Sequence, residues 1–256
     1  LFCGRMTFAL VFEQLLNGIQ LGVMLFLLVA GLTLVLGIMN MVNLAHGSLY
    51  MVGAYFAITV AQWSGSFLLG VVGALAGTLL VRMLVGVVAL RRLYQRDHLD
   101  QVPATFGLIL FFNELVGIFW GRTSLFASLP SYLQGHLDLF AGIRYPVYRA
   151  VVILVGLLTA IGLWYVVTRT RLGMLIRAGA SNRTMVAALD VNIRLLYTVV
   201  FGFGAALAGL AGLMSGPLYV VEIGMGDGML IKTFVVTVIG AIGSIRGAFV
   251  AAVIVG

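Results

Sequence analysis

The sequence predicts an all-α polytopic membrane protein with about seven to eight transmembrane or re-entrant helices. Three observations carry this. Of 256 residues, 62% are hydrophobic and only 9% charged, against about 25% charged in ordinary globular domains. No Asp, Glu, Lys or Arg occurs from Gln14 to Val81, a run that holds roughly three crossings at about 20 residues each. Apolar residues run continuously rather than alternating with polar ones, which argues against a transmembrane β-barrel.

The remaining composition narrows the function classes. With 33 Gly and 4 Pro the chain is neither collagen-like nor disordered. Its formal charge of +7 comes from arginines clustered in short loops, the pattern of cytoplasmic positive charge, and no solvated basic domain exists to bind nucleic acid. The single Cys, Cys3, supplies neither a disulfide framework nor a metal set. The phosphate-binding GxxxxGK[ST] loop is absent, as is any recognisable triad context, so no catalytic residue is assigned. Residues 1–256 read as one transmembrane domain; Met6 is a candidate start and the chain is expected to continue past Gly256.

After a lead-in over 1–13, a first crossing is expected at about Leu15–Leu36, with Gly18 and Gly22 on one face for close packing. Gly37 can end that helix, and Asn40 or Asn43 can cap the next, at about Leu44–Ala61. QWSGS (62–66) is a turn with an interfacial Trp63. The third helix, about Phe67–Leu90, repeats the small-residue spacing at Gly73 and Gly77 and carries Arg82. An Arg-rich loop (91–100) leads to a fourth helix, about Val102–Trp120, with Asn113 and Glu114 at its middle. Residues 121–149 form a long polar connection, and the fifth helix covers about Ala150–Thr168. The Arg-rich segment 168–194 reads as a cytoplasmic helical loop. The sixth helix, about Leu195–Tyr219, bears a stripe of small residues at i+4: Gly204, Ala208, Gly212 and Gly216. Residues 220–232 hold Glu222, Asp227 and Lys232. The 13 apolar residues 233–245 are short for a crossing, so broken or re-entrant helices are expected around Gly240, Gly243, Ser244 and Gly247.

Two crossings separate the Arg-rich loops 91–100 and 169–194, so both fit the cytoplasmic side. Residues 121–149 then lie outside despite three arginines. The N-terminus is outside if the break at 37–43 separates two full crossings, and inside if one segment is re-entrant.

Three stretches carry a family resemblance: GLTLVLGIMNMVNLAHGSLYMVGAY (31–55), TRLGMLIRAGASNRTMVAALDVN (170–192) and KTFVVTVIGAIGSIRGAF (232–249). With ATFGLILFFNELV (104–116), in this order and spacing, they resemble the permease subunits of branched-chain amino-acid ABC importers, the LivH type. The resemblance covers nearly all of the chain from Phe12. One departure is Ala241, where the family more often has Gly. The resemblance implies one permease subunit of a multi-pass bacterial inner-membrane importer, paired with a second, similar or identical permease. Two cytoplasmic ATPase subunits would bind ATP and Mg, this chain itself holding no cofactor, and a periplasmic binding protein would deliver Leu, Ile or Val. Relatives for urea, short amides or other amino acids look similar at this level. A secondary transporter or channel without ATPase subunits is the rival class.

The segment 168–194 also resembles the coupling helices by which such permeases engage the ATPase, which places Arg171, Gly173, Arg177, Ala178, Asn182, Ala187 and Asp190 in that contact; the bland alternative is a loop that only sets topology. Polar residues in the apolar run are costly unless they face protein or water. Asn40, Asn43, His46, Asn113 and Glu114 are therefore candidates for the translocation path, the alternative being capping, interhelical hydrogen bonding and, for Glu114, an internal ion pair with Arg82. His46 lacks an acid partner for proton relay and a second ligand at i+3 or i+4 for a metal.

Overall fold

The computed structural model describes residues 2–39, 43–86, 98–138, 144–181, 185–186, 193–241 and 243–256. Nine α-helices are described: α1 (Phe2–Met39), α2 (His46–Ser64), α3 (Phe67–Val85), α4 (His98–Trp120), α5 (Val147–Arg169), α6 (Arg171–Ser181), α7 (Ile193–Ser215), α8 (Met225–Ile239) and α9 (Ile245–Val255). Five segments, within α1, α3, α4, α5 and α7, are long and apolar enough to cross a membrane. A small antiparallel hairpin, β1 (His136–Asp138) with β2 (Arg144–Pro146), lies between α4 and α5.

The helices sort by what their faces meet. The crossing segment of α1 is 89% buried within the protein, so it is the axis of the bundle, and α7 packs along it. On α3, α4 and α5 the outward faces carry Val72, Leu80, Phe106, Leu110, Leu158 and Ile161, surface that lipid chains solvate without cost. α2 is lined by twelve buried residues, among them His46, Ser48, Tyr50 and Tyr55; it is an interior element rather than a lipid-facing one.

Glycines set the contacts, as the small-residue spacings predict. A Cβ on Gly22 would lie 2.7 Å from the Ala252 carbonyl oxygen, and Gly18 faces Gly256, which seats α9 on α1. Gly73 and Gly77 receive the side chains of Val60 and Phe56, which seats α3 on α2. Gly37 does not end α1. The helix runs on to Met39, because a glycine inside a helix costs only about 1 kcal/mol and Gly37 packs against Gly243, its would-be Cβ 3.0 Å from the Gly243 Cα. The sixth crossing stops at Ser215 rather than Tyr219, and its tail forms a backbone bridge, Leu125 with Val221.

The expected break near Gly240 is present. α8 ends at Ile239, Ala241 and Gly243 take positive φ of 65° and 87°, and α9 begins at Ile245. Ser244 caps α9, its hydroxyl oxygen accepting from the Gly247 amide at 3.1 Å. Gly240 and Gly247 touch backbone to backbone, so both halves of the turn need residues without a side chain.

The two ends of the bundle follow from contacts. Arg149 donates to the Asn17 side-chain oxygen, and the Phe67 and Tyr148 rings meet edge to face. The start of α5, the start of α3 and the N-terminal part of α1 therefore share one end, with the hairpin. At the other end, Gly179 of α6 faces Leu196 of α7 and Ile38 of α1. The arginines of 121–149 are accounted for by partners: Arg122 with Glu114 at 3.4 Å, Arg144 with Asp138 at 3.7 Å, and Arg149 with Asn17.

Candidate translocation site

Two polar residues of the opening run, Asn43 and His46, meet at the middle of the bundle. His46 starts α2, and its Nε2 lies 3.1 Å from the Leu28 carbonyl oxygen, deep in α1. Its ring fits there because Gly31, one turn along α1, has no side chain: a Cβ would lie 3.0 Å from His46 Cε1. The same glycine meets Gly204 of α7, so α1, α2 and α7 join at this point. His46 thus makes a hydrogen bond between α2 and α1.

Asn43 is fully buried just before α2, and neither side-chain polar atom has a hydrogen-bond partner among the described residues. Its backbone carbonyl accepts from the His46 amide at 3.3 Å. Asn43 does not supply the side-chain cap expected of it or Asn40: Ala45 holds the N-cap position without one. Ser48, in the first turn of α2, is buried with its hydroxyl also unpartnered among the described residues. Unpaired buried polar atoms cost about 1–3 kcal/mol each, so this level of the bundle is polar at an energetic cost. Asn40 lies outside the described residues.

A second interrupted helix meets the first here. α8 begins at Met225, and Gly226 touches the backbone of Gly47, so the N-terminal turns of α2 and α8 are in contact. From this junction α2 runs toward the hairpin end and α8 toward Gly240, near the α6 end. Two discontinuous helices that start inside the bundle are the arrangement by which membrane transporters expose backbone dipoles to a path.

The remaining candidates separate. Asn113 is half-buried in α4, its Oδ1 without a partner among the described residues. Glu114 is exposed and pairs with Arg122, 70% and 79% of their side chains being accessible. The expected Glu114–Arg82 pair is not formed. Arg82 is buried, its guanidinium 4.0 Å above the Phe201 ring, a favourable cation–π placement; Glu114 instead sits within two turns of the end of α4, where Arg122 reaches it.

Within the Arg-rich segment, Arg171–Ser181 form the short helix α6, turned back against the end of α5. Gly173 is buried against the Val166 and Val167 carbonyls, and its amide donates to the Thr170 hydroxyl at 3.2 Å. Arg177 donates to the Val167 carbonyl, Arg171 is exposed and Ala178 half-buried. Leu172, Met174 and Met185 are exposed beside them. Sequence reasoning did not single these out, although three apolar residues among arginines were the visible signal. Asn182, Ala187 and Asp190 lie outside the described residues.

Of the packing stripe, Gly204 meets Gly31, and Gly212 meets the Tyr50 carbonyl. Gly216 lies beyond the end of α7, and its nearest outside neighbour is the Ala127 Cβ at 3.5 Å from a built Cβ. Gly209 was not singled out, yet it is wedged between Gly53 of α2 and Thr78 of α3. α7 presents glycines on two faces, and a single i+4 stripe captures only one of them.

Comparison with known proteins agrees with this architecture. Residues 14–256 match the family model described as branched-chain amino acid transport system / permease component. The chain is 31% identical to the high-affinity branched-chain amino acid transport system permease protein BraD of Pseudomonas aeruginosa, over 95% of this chain and 83% of that protein. Identity to the corresponding LivH of Escherichia coli K12 is 31% over the same shares. To the probable LivH of Methanocaldococcus jannaschii it is 28%, over 91% of this chain and 75% of that one. No solved structure matches.

Proposed function

This chain belongs to the family of branched-chain amino acid transport system permease components, and from that premise we propose that it forms the membrane path of an ATP-driven importer for branched-chain amino acids. The observation that carries the reading is the family match across residues 14–256, which includes the helix breaks and α6 rather than a single span. ATP hydrolysis belongs to separate subunits. The protein is a multi-pass membrane protein, and the bacterial inner membrane is its proposed site.

α6 and the residues after it are the proposed contact with the ATPase. α6 is an 11-residue helix locked to the end of α5 by Gly173 and Arg177. A short helix fixed in this way passes a push from outside the membrane into tilting of the helix that carries it. Exposed Leu172 and Met174 supply apolar contact, and Arg171 a charge for a carboxylate. Of the residues assigned to this contact by resemblance, Asn182, Ala187 and Asp190 remain assigned by sequence alone.

Asn43, His46 and the meeting point of α2 and α8 are the proposed narrow part of the path. The proposed partners are a second permease, two ATPase subunits and a binding protein outside. The test is co-expression with its neighbouring transporter subunits and reconstitution into vesicles. ATP-dependent leucine uptake that requires the ATPase and the binding protein supports the reading. Uptake by the permease alone, driven by an ion gradient, would instead make it a secondary transporter.

A further inference from the structure

Two charges sit where lipid cannot take them. α1 gives the depth scale. Its Gly31 touches Gly204, at the centre of α7, and its Val23 touches Gly156, near the centre of α5. His46 bonds Leu28 between those two residues, and the neighbouring Gly47 touches Gly226 of α8. Asp227 follows Gly226 directly. Lys232 lies six residues beyond Gly226, about 9 Å further along the helix. The hydrocarbon half-thickness is about 15 Å, so both residues stand within it.

Both side chains are exposed on the surface of the chain, together with Gly228, Ile231, Val235, Val238 and Ile239. Among the described residues neither charge joins an ion pair. A charged side chain at this depth is found facing protein interior or a water-filled cavity, not lipid. The outward faces of α3 and α5 show the contrast, because at comparable depth they present Val72, Leu80, Leu158 and Ile161. The first half of this α8 surface, from Asp227 to Lys232, therefore carries charge where the outward faces of α3 and α5 carry none at that depth.

We propose that the face of α8 bearing Asp227 and Lys232 lines the water-filled translocation path, and that these charges receive in turn the ammonium and the carboxylate of a passing zwitterionic amino acid. This rests on the permease reading above. Asp227 and Lys232 are opposite and equal, so a net anion or cation is attracted by one and repelled by the other. A zwitterion finds a partner at both. The two residues are five positions apart, about 7.5 Å along the axis, while the two charged groups of an α-amino acid are attached to one carbon. The contacts are therefore successive rather than simultaneous. Ile231 and Val235, 68% and 49% exposed, supply apolar surface between them for a branched side chain.

The test uses the assembled importer in proteoliposomes, with Cys3→Ser as background and Asp227→Cys, Lys232→Cys and Leu158→Cys introduced singly. The probe is a membrane-impermeant, water-soluble thiosulfonate. Reaction at 227 and 232 but not at 158, slowed several-fold by saturating leucine, is the expected result. Reactivity at 227 and 232 as low as at 158 overturns the assignment, as does reactivity in the isolated chain that disappears on assembly, which would make this face a protein contact. Reactivity that leucine does not slow overturns the binding of the zwitterion. Accessibility is read without transport. Leucine uptake is read separately, on the Cys3→Ser complex that keeps Asp227 and Lys232: reactive cysteines beside no uptake by that complex would fault the cargo reading, and uptake by it beside unreactive cysteines would fault this inference.

Discussion

Gly31 and Gly204 meet backbone to backbone: a Cβ on Gly31 would stand 2.9 Å from the Gly204 carbonyl oxygen, and one on Gly204 would stand 3.2 Å from that of Gly31. Without a hydrophobic force between helices in lipid, such close approach is what holds them together. The contact also makes room for His46, so one pair of residues fixes both the axis of the bundle and its polar centre.

Enlarging this contact is expected to be costly. Gly204→Leu forces α1 and α7 apart, and overpacking of this kind costs about 1–3 kcal/mol. Gly107→Leu is the control: it lies on α4 with nothing within 4 Å of a built Cβ, and a helix-forming residue there is neutral or slightly stabilising. Thermal unfolding in detergent should show a lowered midpoint for Gly204→Leu alone. Equal midpoints would mean that the crossing does not carry stability.

Ala241→Gly is expected to stabilise the protein. Ala241 holds φ of 65°, a left-handed conformation that costs an L-residue about 1–2 kcal/mol. Glycine removes that cost and returns part of it as extra freedom of the unfolded chain, leaving a gain of up to about 1 kcal/mol. A lower unfolding midpoint for Ala241→Gly would contradict the strain argument.

Met174→Asp should uncouple the ATPase without disturbing the membrane domain. Met174 is 56% exposed on α6, so the change leaves the fold alone. An unpartnered carboxylate in an apolar contact costs at least about 1–3 kcal/mol, roughly fivefold to more than a hundredfold in affinity. Pull-down of the ATPase and leucine uptake should fall together while the amount of permease in the membrane stays constant. Unchanged pull-down would confine α6 to a topological role.

The two ends of the bundle should be reachable from opposite sides. Ser131 and Ser181 are both exposed, the first in the connection that carries the hairpin and the second at the end of α6. In a Cys3→Ser background, an impermeant thiol reagent should label Ser131→Cys in intact cells and Ser181→Cys only after disruption. Labelling of Ser181→Cys from outside would invert the topology.

Much of this architecture was legible because membrane segments are read from apolar length and small-residue spacing. Gly18, Gly22, Gly73, Gly77 and Gly212 were recognised from spacing alone and sit at real contacts. The break after Ile239 was legible because 13 apolar residues cannot cross a bilayer. Other features depend on three-dimensional partners. Gly37 looked like a helix end, but its role is set by Gly243, more than 200 residues away in sequence. Arg82 and Glu114 looked matched by depth, yet each found a nearer partner in Phe201 and Arg122. Asp227 and Lys232 were placed only in the stretch 220–232 between two apolar segments, and the start of α8 at Met225 moves them into a helix. Gly209 was missed because α7 contacts two neighbours at once, which one-face periodicity does not describe.

The meeting of α2 and α8 at Gly47 and Gly226 has a mechanical meaning. From that contact α2 leads toward one leaflet and α8 toward the other. α2 has 19 residues and α8 has 15, about 28 and 22 Å of helix, so the pair reaches from one glycine contact to both ends of the bundle. A side chain added at Gly47 or Gly226 would therefore be felt at both ends at once.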